Sequence, residues 1–177
     1  MQKILCITII FILTACGKPD FIPVEIVGKD NVYQVITRGM GILHNDILIT
    51  GAHVVRNQQL QYFVGEQKYI LQNIDYIKDR AFLSKTNDGF DTKKLYSFGV
   101  KGGLGDSVFA QVTRNNIIVT LTGKIIDASG SVLGYDGQGR ITPIQGIILT
   151  DIQFISGDSG APIFNVSGEL IDLVHVQ

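Results

Sequence analysis

Short apolar runs, separated by polar turns that often contain glycine, make up nearly the whole chain after residue 23. Runs of about four to eight residues that are rich in Val, Ile, Thr, Tyr and Phe and bounded by turn residues are typical of β-strands. No segment keeps the roughly 3.6-residue period of a long amphipathic helix. The pattern predicts an all-β body with strands at residues 24–28, 32–37, 39–43, 47–50, 61–64, 68–77, 81–83, 107–113, 117–126, 144–152, 161–164 and 169–176.

The connections between these runs differ in what they predict. Asn45-Asp46 lies between two apolar runs and predicts a tight hairpin. Residues 51–55 follow a strand end directly, so we expect a short helical turn that carries His53. Residues 127–140 contain four glycines and are expected to form a flexible loop or an open hairpin. The polar residues 87–94 are expected to connect two halves of the body.

Composition limits the function without naming it. Hydrophobic residues make up 45% of the 177 residues and charged residues 18%, which is enough apolar material for a folded body with a core. Lys and Arg number 15 against 16 Asp and Glu, and the net charge of −1 argues against nucleic acid as a partner. The only cysteines are Cys6 and Cys16, so no disulfide can stabilise the body. No metal-ligand spacing or phosphate loop is present, and no cofactor is expected.

The first sixteen residues are organised like an export signal. Lys3 supplies a positive charge, residues 4–13 are almost wholly apolar, and small residues follow. Leu13-Thr14-Ala15-Cys16 resembles the lipobox of bacterial lipoproteins, which implies a signal peptide at 1–15, a lipidated Cys16 and a tether at 16–23. The resemblance implies anchoring to a bacterial membrane, facing the periplasm or the cell exterior, and Gly17 favours the outer membrane. An ordinary secretory signal with an incidental cysteine is the alternative.

The stretch 156–162, Ser-Gly-Asp-Ser-Gly-Ala-Pro, is the main candidate for chemistry. Glycines on both sides of Asp158-Ser159 allow a sharp turn with bare backbone N–H groups. Such a turn can present the Ser159 hydroxyl as a nucleophile beside an oxyanion hole, which is the arrangement that acyl transfer requires. A base and an acid would have to come from elsewhere, and His53 and Asp79 are the candidates. Taken alone, each has an ordinary interpretation as a packing or turn residue.

Three motifs taken together resemble the trypsin-like serine proteases, which have the chymotrypsin fold. They are Thr50-Gly51-Ala52-His53-Val54-Val55, Asp79-Arg80-Ala81-Phe82-Leu83 and Gly157-Asp158-Ser159-Gly160-Ala161-Pro162. The order His, Asp, Ser along the chain is that of this family. A finer similarity, to the bacterial HtrA-type branch without a PDZ-like extension, is carried by Gly39 to Gly41, Thr150-Asp151 and Gly168-Glu169-Leu170-Ile171.

This resemblance implies a fold, a reaction and a set of roles. The fold would be two six-stranded antiparallel β-barrels within residues 24–177, the first at about 24–94 and the second at about 95–177. The reaction would be hydrolysis of peptide bonds in a protein or peptide substrate through an acyl-enzyme. The implied roles are nucleophile for Ser159, base for His53, orienting acid for Asp79 with Asp75 as the alternative, oxyanion donors at Gly157 and Ser159, and pocket positions at Gln153, Phe154 and His175.

The sequence departs from the family pattern near its end. Gln177 lies only 18 residues after Ser159, so we expect the second barrel to lack its last strand. An incomplete barrel leaves an unpaired edge that invites self-association. Beside a lipidated N-terminus, Asp158 must find a partner other than a freed N-terminal amine, and we expect no proteolytic activation. The open pocket leaves an alternative function, a catalytically weak or inactive binding module with a protease fold that acts on a surface or periplasmic partner.

Overall fold

The structure, a computed structural model, describes residues 21–85, 98, 102–115, 117–136 and 138–175. The expected signal peptide, the expected lipidation site at Cys16 and the expected division near residues 94 and 95 lie outside the described residues. Among the residues that are described, no helix is long and apolar enough to cross a membrane.

Six antiparallel strands close into a barrel in the first half of the described chain. Alternating apolar side chains point inward from them, and Ile26, Leu48 and Leu83 are fully buried in the centre. The barrel begins at Ile22, so the last two residues of the expected tether belong to it. Its strands are β1 (Ile22–Lys29), β2 (Val35–His44), β3 (Ile47–Thr50), β4 (Gln61–Val64), β5 (Gln67–Asp75) and β6 (Arg80–Ser84), in the order β1-β2-β3-β6-β5-β4.

Two local predictions in this barrel are confirmed. Asn45 and Asp46 form the tight turn between β2 and β3 with φ angles of 45° and 66°, the left-handed pair that suits a two-residue hairpin. Directly after β3, Gly51 leads into a 3₁₀ turn at Ala52–Val54, which is the short helical turn expected around His53.

Five further antiparallel strands form a second, nearly closed barrel. They are β7 (Ser107–Arg114), β8 (Ile117–Tyr135), β9 (Ile141–Thr150), β10 (Pro162–Asn165) and β11 (Leu170–Leu173). Their order is β11-β10-β7-β8-β9, which leaves β11 and β9 at the two edges. The fold is therefore all-β with two antiparallel barrels, and within the described residues the second barrel has one strand fewer than the first, as predicted.

In the glycine-containing segment 127–140, the strands extend beyond their predicted ends. Strand β8 continues through Tyr135, and its residues 125–135 pair with β9, so the two strands form the open hairpin that was one of the two predicted possibilities. The register is irregular on both sides of Gly130, whereas Gly134 pairs regularly with Thr142. A methyl group on Gly130 would lie 2.7 Å from Cγ of Leu149, so the glycine allows the two strands to approach closely.

The two barrels share their apolar cores where they meet. Met40 of β2 is buried with the core residues of the second barrel, among them Ala161 and Ile163. A further cluster joins Ile42 and Phe82 of the first barrel to Phe164 of the second. Burial across this junction holds the barrels against each other and fixes the loops that emerge beside it.

Candidate active site

The residues implied as base, acid and nucleophile all lie in connections between strands. His53 is in the 3₁₀ turn after β3, and Asp79 ends the turn between β5 and β6. Ser159 lies in the loop between β9 and β10. Connections that stand on a rigid barrel scaffold are where proteins usually place reactive side chains.

Asp79 holds His53 at two points. Its Oδ2 accepts a hydrogen bond from Nδ1–H of the His53 ring at 2.6 Å, and its Oδ1 accepts one from the His53 backbone N–H at 2.9 Å. Because Nδ1 carries the proton, Nε2 is left as the basic atom of the neutral ring. His53 Nε2 is buried, and no group hydrogen-bonds to it among the residues that the structure describes.

The two candidate acids, between which the sequence left a choice, make different contacts. The carboxylate of Asp75 points into its own turn, where Oδ1 accepts the backbone N–H groups of Ile77 and Lys78 at 3.0 Å each. It shapes the turn that carries Asp79, whose backbone has a φ of 48°. Aspartate tolerates this left-handed conformation better than most residues, so the turn can present Asp79 inward.

Gly51 is a site residue that sequence reasoning missed. A methyl group at this position would lie 2.7 Å from Cε1 and 2.9 Å from Nδ1 of the His53 ring. The glycine therefore leaves the space into which the imidazole folds back toward Asp79. The only signal in the sequence was a glycine two residues before the histidine, which by itself does not distinguish a turn from a steric requirement.

The loop that carries Ser159 is fastened to both barrels. The Ser159 carbonyl accepts the backbone N–H of Met40 at 2.7 Å, and the Gly160 N–H donates to the carbonyl of Val174 at 2.8 Å. A methyl group on Gly160 would lie 2.5 Å from Oγ1 of Thr50 and 3.2 Å from the backbone nitrogen of Gly51. The serine loop thus rests directly against the turn that holds His53, and the three residues share one junction.

Asp158, next to the serine, has the partner that the sequence required but did not identify. Its buried carboxylate accepts a hydrogen bond from Nη2 of Arg114 at 2.7 Å and another from the backbone N–H of Ile155 at 2.9 Å. The ion pair joins the loop to the end of β7. A buried carboxylate is stable only when it is paired and hydrogen-bonded, so Arg114 supplies what a free amine would otherwise have to supply.

The predicted pocket positions have different surroundings. Gln153 is exposed, and Phe154 packs partly buried against the core of the second barrel. The side chain of His175 is only 4% exposed and turns inward to Asp79. Their role in substrate binding stays a prediction.

His175 brings a second imidazole to the same carboxylate oxygen. Its Nδ1–H donates to Oδ2 of Asp79 at 2.7 Å, and its Nε2 lies 3.6 Å from Oδ1 of Asp172. Burial alone would lower the pKa of His175, but the interactions with Asp172 and Asp79 outweigh it and raise the pKa to about 9. Burial alone would likewise raise the pKa of Asp79, but hydrogen bonds from His175 and His53 hold it well below its usual range.

Two imidazoles and a carboxylate are also a set that can bind a divalent metal ion. Ligand atoms of His53, Asp79 and His175 all lie within 4.8 Å of one another. Each Nδ1, however, stands at hydrogen-bond distance from Asp79 Oδ2, so a proton occupies the place that an ion would need. The cluster is therefore a hydrogen-bonded network as the structure has it.

The protein should lose stability as the pH rises through the range in which His175 titrates. Its pKa moves from the ordinary 6.5 to about 9 on folding, so the folded chain binds this proton more tightly than the unfolded chain. The resulting stabilisation, on the order of 3 kcal/mol, is complete below the unfolded value and is lost as pH rises through the folded one. Urea unfolding at about pH 6 and about pH 9.5 would measure the loss. Equal unfolding free energies at the two pH values would contradict it, and a His175→Asn variant should lack this decline.

Solved structures with the same architecture include Deg5, the Rv3671c protease and the MamO protease domain. Deg5 shares 16% sequence identity, with a TM-score of 0.63 over 88% of this chain and 79% of that chain. The active form of the Rv3671c protease from M. tuberculosis shares 19%, with a TM-score of 0.59 over 84% and 66%. The MamO protease domain from Magnetospirillum magneticum shares 16%, with a TM-score of 0.61 over 85% and 82%.

The fold is chymotrypsin-like. Structural similarity at such low sequence identity shows a shared fold but does not show a shared activity. No family model and no curated protein sequence matches the chain. The function therefore has to be argued from the site.

Proposed function

We propose that this protein is a serine endopeptidase that uses Ser159 as nucleophile, His53 as general base and Asp79 as the orienting acid. The observation that carries the proposal is the two-point hold of Asp79 on His53, through the ring Nδ1 and the backbone N–H. A surface or packing histidine has no need of a buried carboxylate that fixes its tautomer. General-base catalysis does need one, because only a ring protonated at Nδ1 can accept a proton at Nε2.

The proposed reaction uses these three roles in turn. Ser159 Oγ attacks the scissile carbonyl while His53 Nε2 takes its proton, and an ester bond to Ser159 forms. His53 then gives the proton to the leaving amine. Water, activated by the same nitrogen, attacks the acyl-enzyme and releases the new carboxyl end of the substrate. Asp79 stays ionised throughout and stabilises the protonated imidazole.

The oxyanion that forms at each tetrahedral intermediate is assigned to the backbone N–H groups of Gly157 and Ser159. Gly157 has a φ of 99°, a conformation open mainly to glycine, and it turns the loop just before the nucleophile. Preorganised donors of this kind contribute about 10²–10³-fold to the rate. The ion pair between Asp158 and Arg114 would keep this loop in place during turnover.

The proposal includes a protein or peptide as substrate and anchoring of the chain to a bacterial membrane through a lipidated Cys16, facing the periplasm or the cell exterior. The fold supports the first, since the structural neighbours include proteases. Self-association is proposed at the edges of the five-stranded barrel, where β11 and β9 each have a paired neighbouring strand on one side only within the described residues.

A fluorophosphonate probe tests the activity, because it reacts with a serine hydroxyl only when a base activates it. The wild-type chain should be labelled covalently, and Ser159→Ala should abolish the label. Ser156→Ala is the matched control, since Ser156 is an exposed serine of the same loop, and it should be labelled like the wild type. Equal labelling of wild type and Ser159→Ala, or none in the wild type, would contradict the proposal and favour the non-catalytic binding module.

A further inference from the structure

A second histidine on the acid of a triad changes the charge that the acid can offer to the base. His53 and His175 approach the same oxygen of Asp79, at 2.6 Å and 2.7 Å, and their ring centroids are 6.4 Å apart. Asp79 is only 2% exposed, so water does little to screen this arrangement.

Four titratable or charged side chains, from three neighbouring elements, surround His175. Asp79 lies in the turn before β6, and Arg80 is the first residue of β6. Asp172 lies on β11, and His53 lies in the 3₁₀ turn. Asp172 is buried, and its other oxygen, Oδ2, accepts the backbone N–H of Ile148 at 2.7 Å. Nη2 of Arg80 stands 3.7 Å from Asp172 Oδ1, the same oxygen that faces His175.

Two carboxylates and Arg80 carry a total charge of −1, so a protonated His175 makes the group neutral beside a neutral His53. Burying an uncompensated charge is costly, and this balance favours the proton on His175 at neutral pH. The raised pKa of His175 agrees with this charge balance, since it also favours the protonated ring. A protonated His175 donates Nδ1–H to Asp79 and thereby holds the carboxylate in the orientation that His53 needs.

We infer that His175 is a positioning residue of this site, which orients Asp79 and offsets part of its negative charge, and that it thereby extends the active range of the enzyme toward acidic pH. The inference rests on the proposed function. His53 serves as a base only when it is unprotonated, and Asp79 alone would favour its protonated form. A positive His175 weakens that preference, both through Asp79 and by direct repulsion across the 6.4 Å between the rings.

Removal of this charge should move the acidic limb of the activity profile to higher pH. Two unit charges at 6.4 Å, at the effective dielectric of about 20 that suits protein sites, shift a titration by on the order of one to two pH units. His175→Asn is the informative variant, because its side-chain amide can place a donor where Nδ1 was but carries no charge. His175→Ala removes the charge and the donor together.

The rate of fluorophosphonate labelling of the full chain, measured from about pH 5 to about pH 9, gives the profile. His175→Asn should shift the acidic limb of the profile upward by about one pH unit relative to the wild type. His175→Ala should show the same shift and also lose about tenfold on the plateau, because Asp79 is no longer held. An unshifted or downward-shifted limb in His175→Asn would overturn the inference.

Nitrogen-15 NMR of the histidine rings separates this inference from the activity itself. In the Ser159→Ala background, the titration midpoint of His53 should rise by about one pH unit on His175→Asn, whether or not the wild type is labelled. An unlabelled wild type overturns the proposed function, while the His53 midpoint still decides the role of His175. If the variant does not fold, the nitrogen-15 spectrum of the wild type alone tests the inference. In it, both ring nitrogens of His175 should carry protons at neutral pH. A neutral His175 at pH 7 would overturn the inference.

Discussion

Asp79→Asn should lower the rate of fluorophosphonate labelling and of peptide hydrolysis by about 10⁴-fold, the loss that this change causes in the Ser-His-Asp template. The amide is nearly the same shape as the carboxylate but has one acceptor oxygen instead of two. In the wild type, Oδ2 accepts from both His53 and His175, and Oδ1 accepts from the His53 backbone. In either orientation of the amide, its NH₂ group faces one of these donors. If it faces the ring nitrogens, His53 loses the contact that fixes its tautomer, and if it faces the backbone N–H, His53 loses the contact that fixes its position.

The same substitution should also reduce stability by about 3 kcal/mol, because a buried, charged His175 loses one of its two anions. Urea unfolding at neutral pH measures this loss, and it separates the variant from one that fails only in catalysis. Asp75→Asn is the matched control, since its amide oxygen can still cap the turn at Ile77 and Lys78. It should stay within about threefold of the wild-type rate and lose less than about 1 kcal/mol. Asp79→Asn activity within tenfold of wild type would contradict the role of Asp79.

The strands and turns could be predicted because they depend on residues that are neighbours in sequence. Apolar runs bounded by turn residues mark strands wherever the partners lie, and the Asn45-Asp46 turn and the helical turn at His53 depend on neighbours in sequence. The two-barrel arrangement followed from the resemblance carried by the motifs, since periodicity alone does not determine how strands pair. The same resemblance placed Asp79 ahead of Asp75 as the acid.

The contacts that complete the site could not be predicted, because they join residues far apart in the chain. His175 meets Asp79 across 96 residues, and Arg114 meets Asp158 across 44. Neither pair has a spacing that a sequence pattern could reveal. The first exists because the two barrels pack together, and the second exists because β7 and β10 are neighbours in the second barrel. Histidine and arginine at such positions are ordinary surface residues until the fold brings a buried carboxylate to them.

At residues 127–140 the predicted strands were too short for a different reason. Glycine in a sequence often signals a break, although in a paired strand it can also mark a close approach of the neighbouring backbone. Gly130 is such a position, since a side chain there would meet Leu149 of β9. A glycine therefore had two physical meanings in this chain, and only the strand partner distinguishes them.

Gly160→Ala should be the most destabilising change in the serine loop, at about 3 kcal/mol, because two separate costs apply. The residue has a φ of 83°, which is strained for any side chain that begins with Cβ. The added methyl group would also collide with the Met40 carbonyl and would lie 2.5 Å from Oγ1 of Thr50. Relief of that collision must push the loop away from β2, so the labelling rate at Ser159 should fall at least about tenfold.

Gly168→Ala is the matched control, because it separates the two costs. Its φ is 81°, nearly the same as that of Gly160, but a methyl group there meets no atom within 4 Å. The variant should lose only about 1 kcal/mol of stability, the cost of a left-handed backbone for a residue with Cβ, and should keep the wild-type labelling rate. Urea unfolding and labelling of the two variants side by side measure the difference, which isolates the close packing of Gly160 against the His53 turn. Equal losses in both variants would mean that the serine loop is not pressed against that turn, and the shared junction of Ser159 and His53 would have to be abandoned.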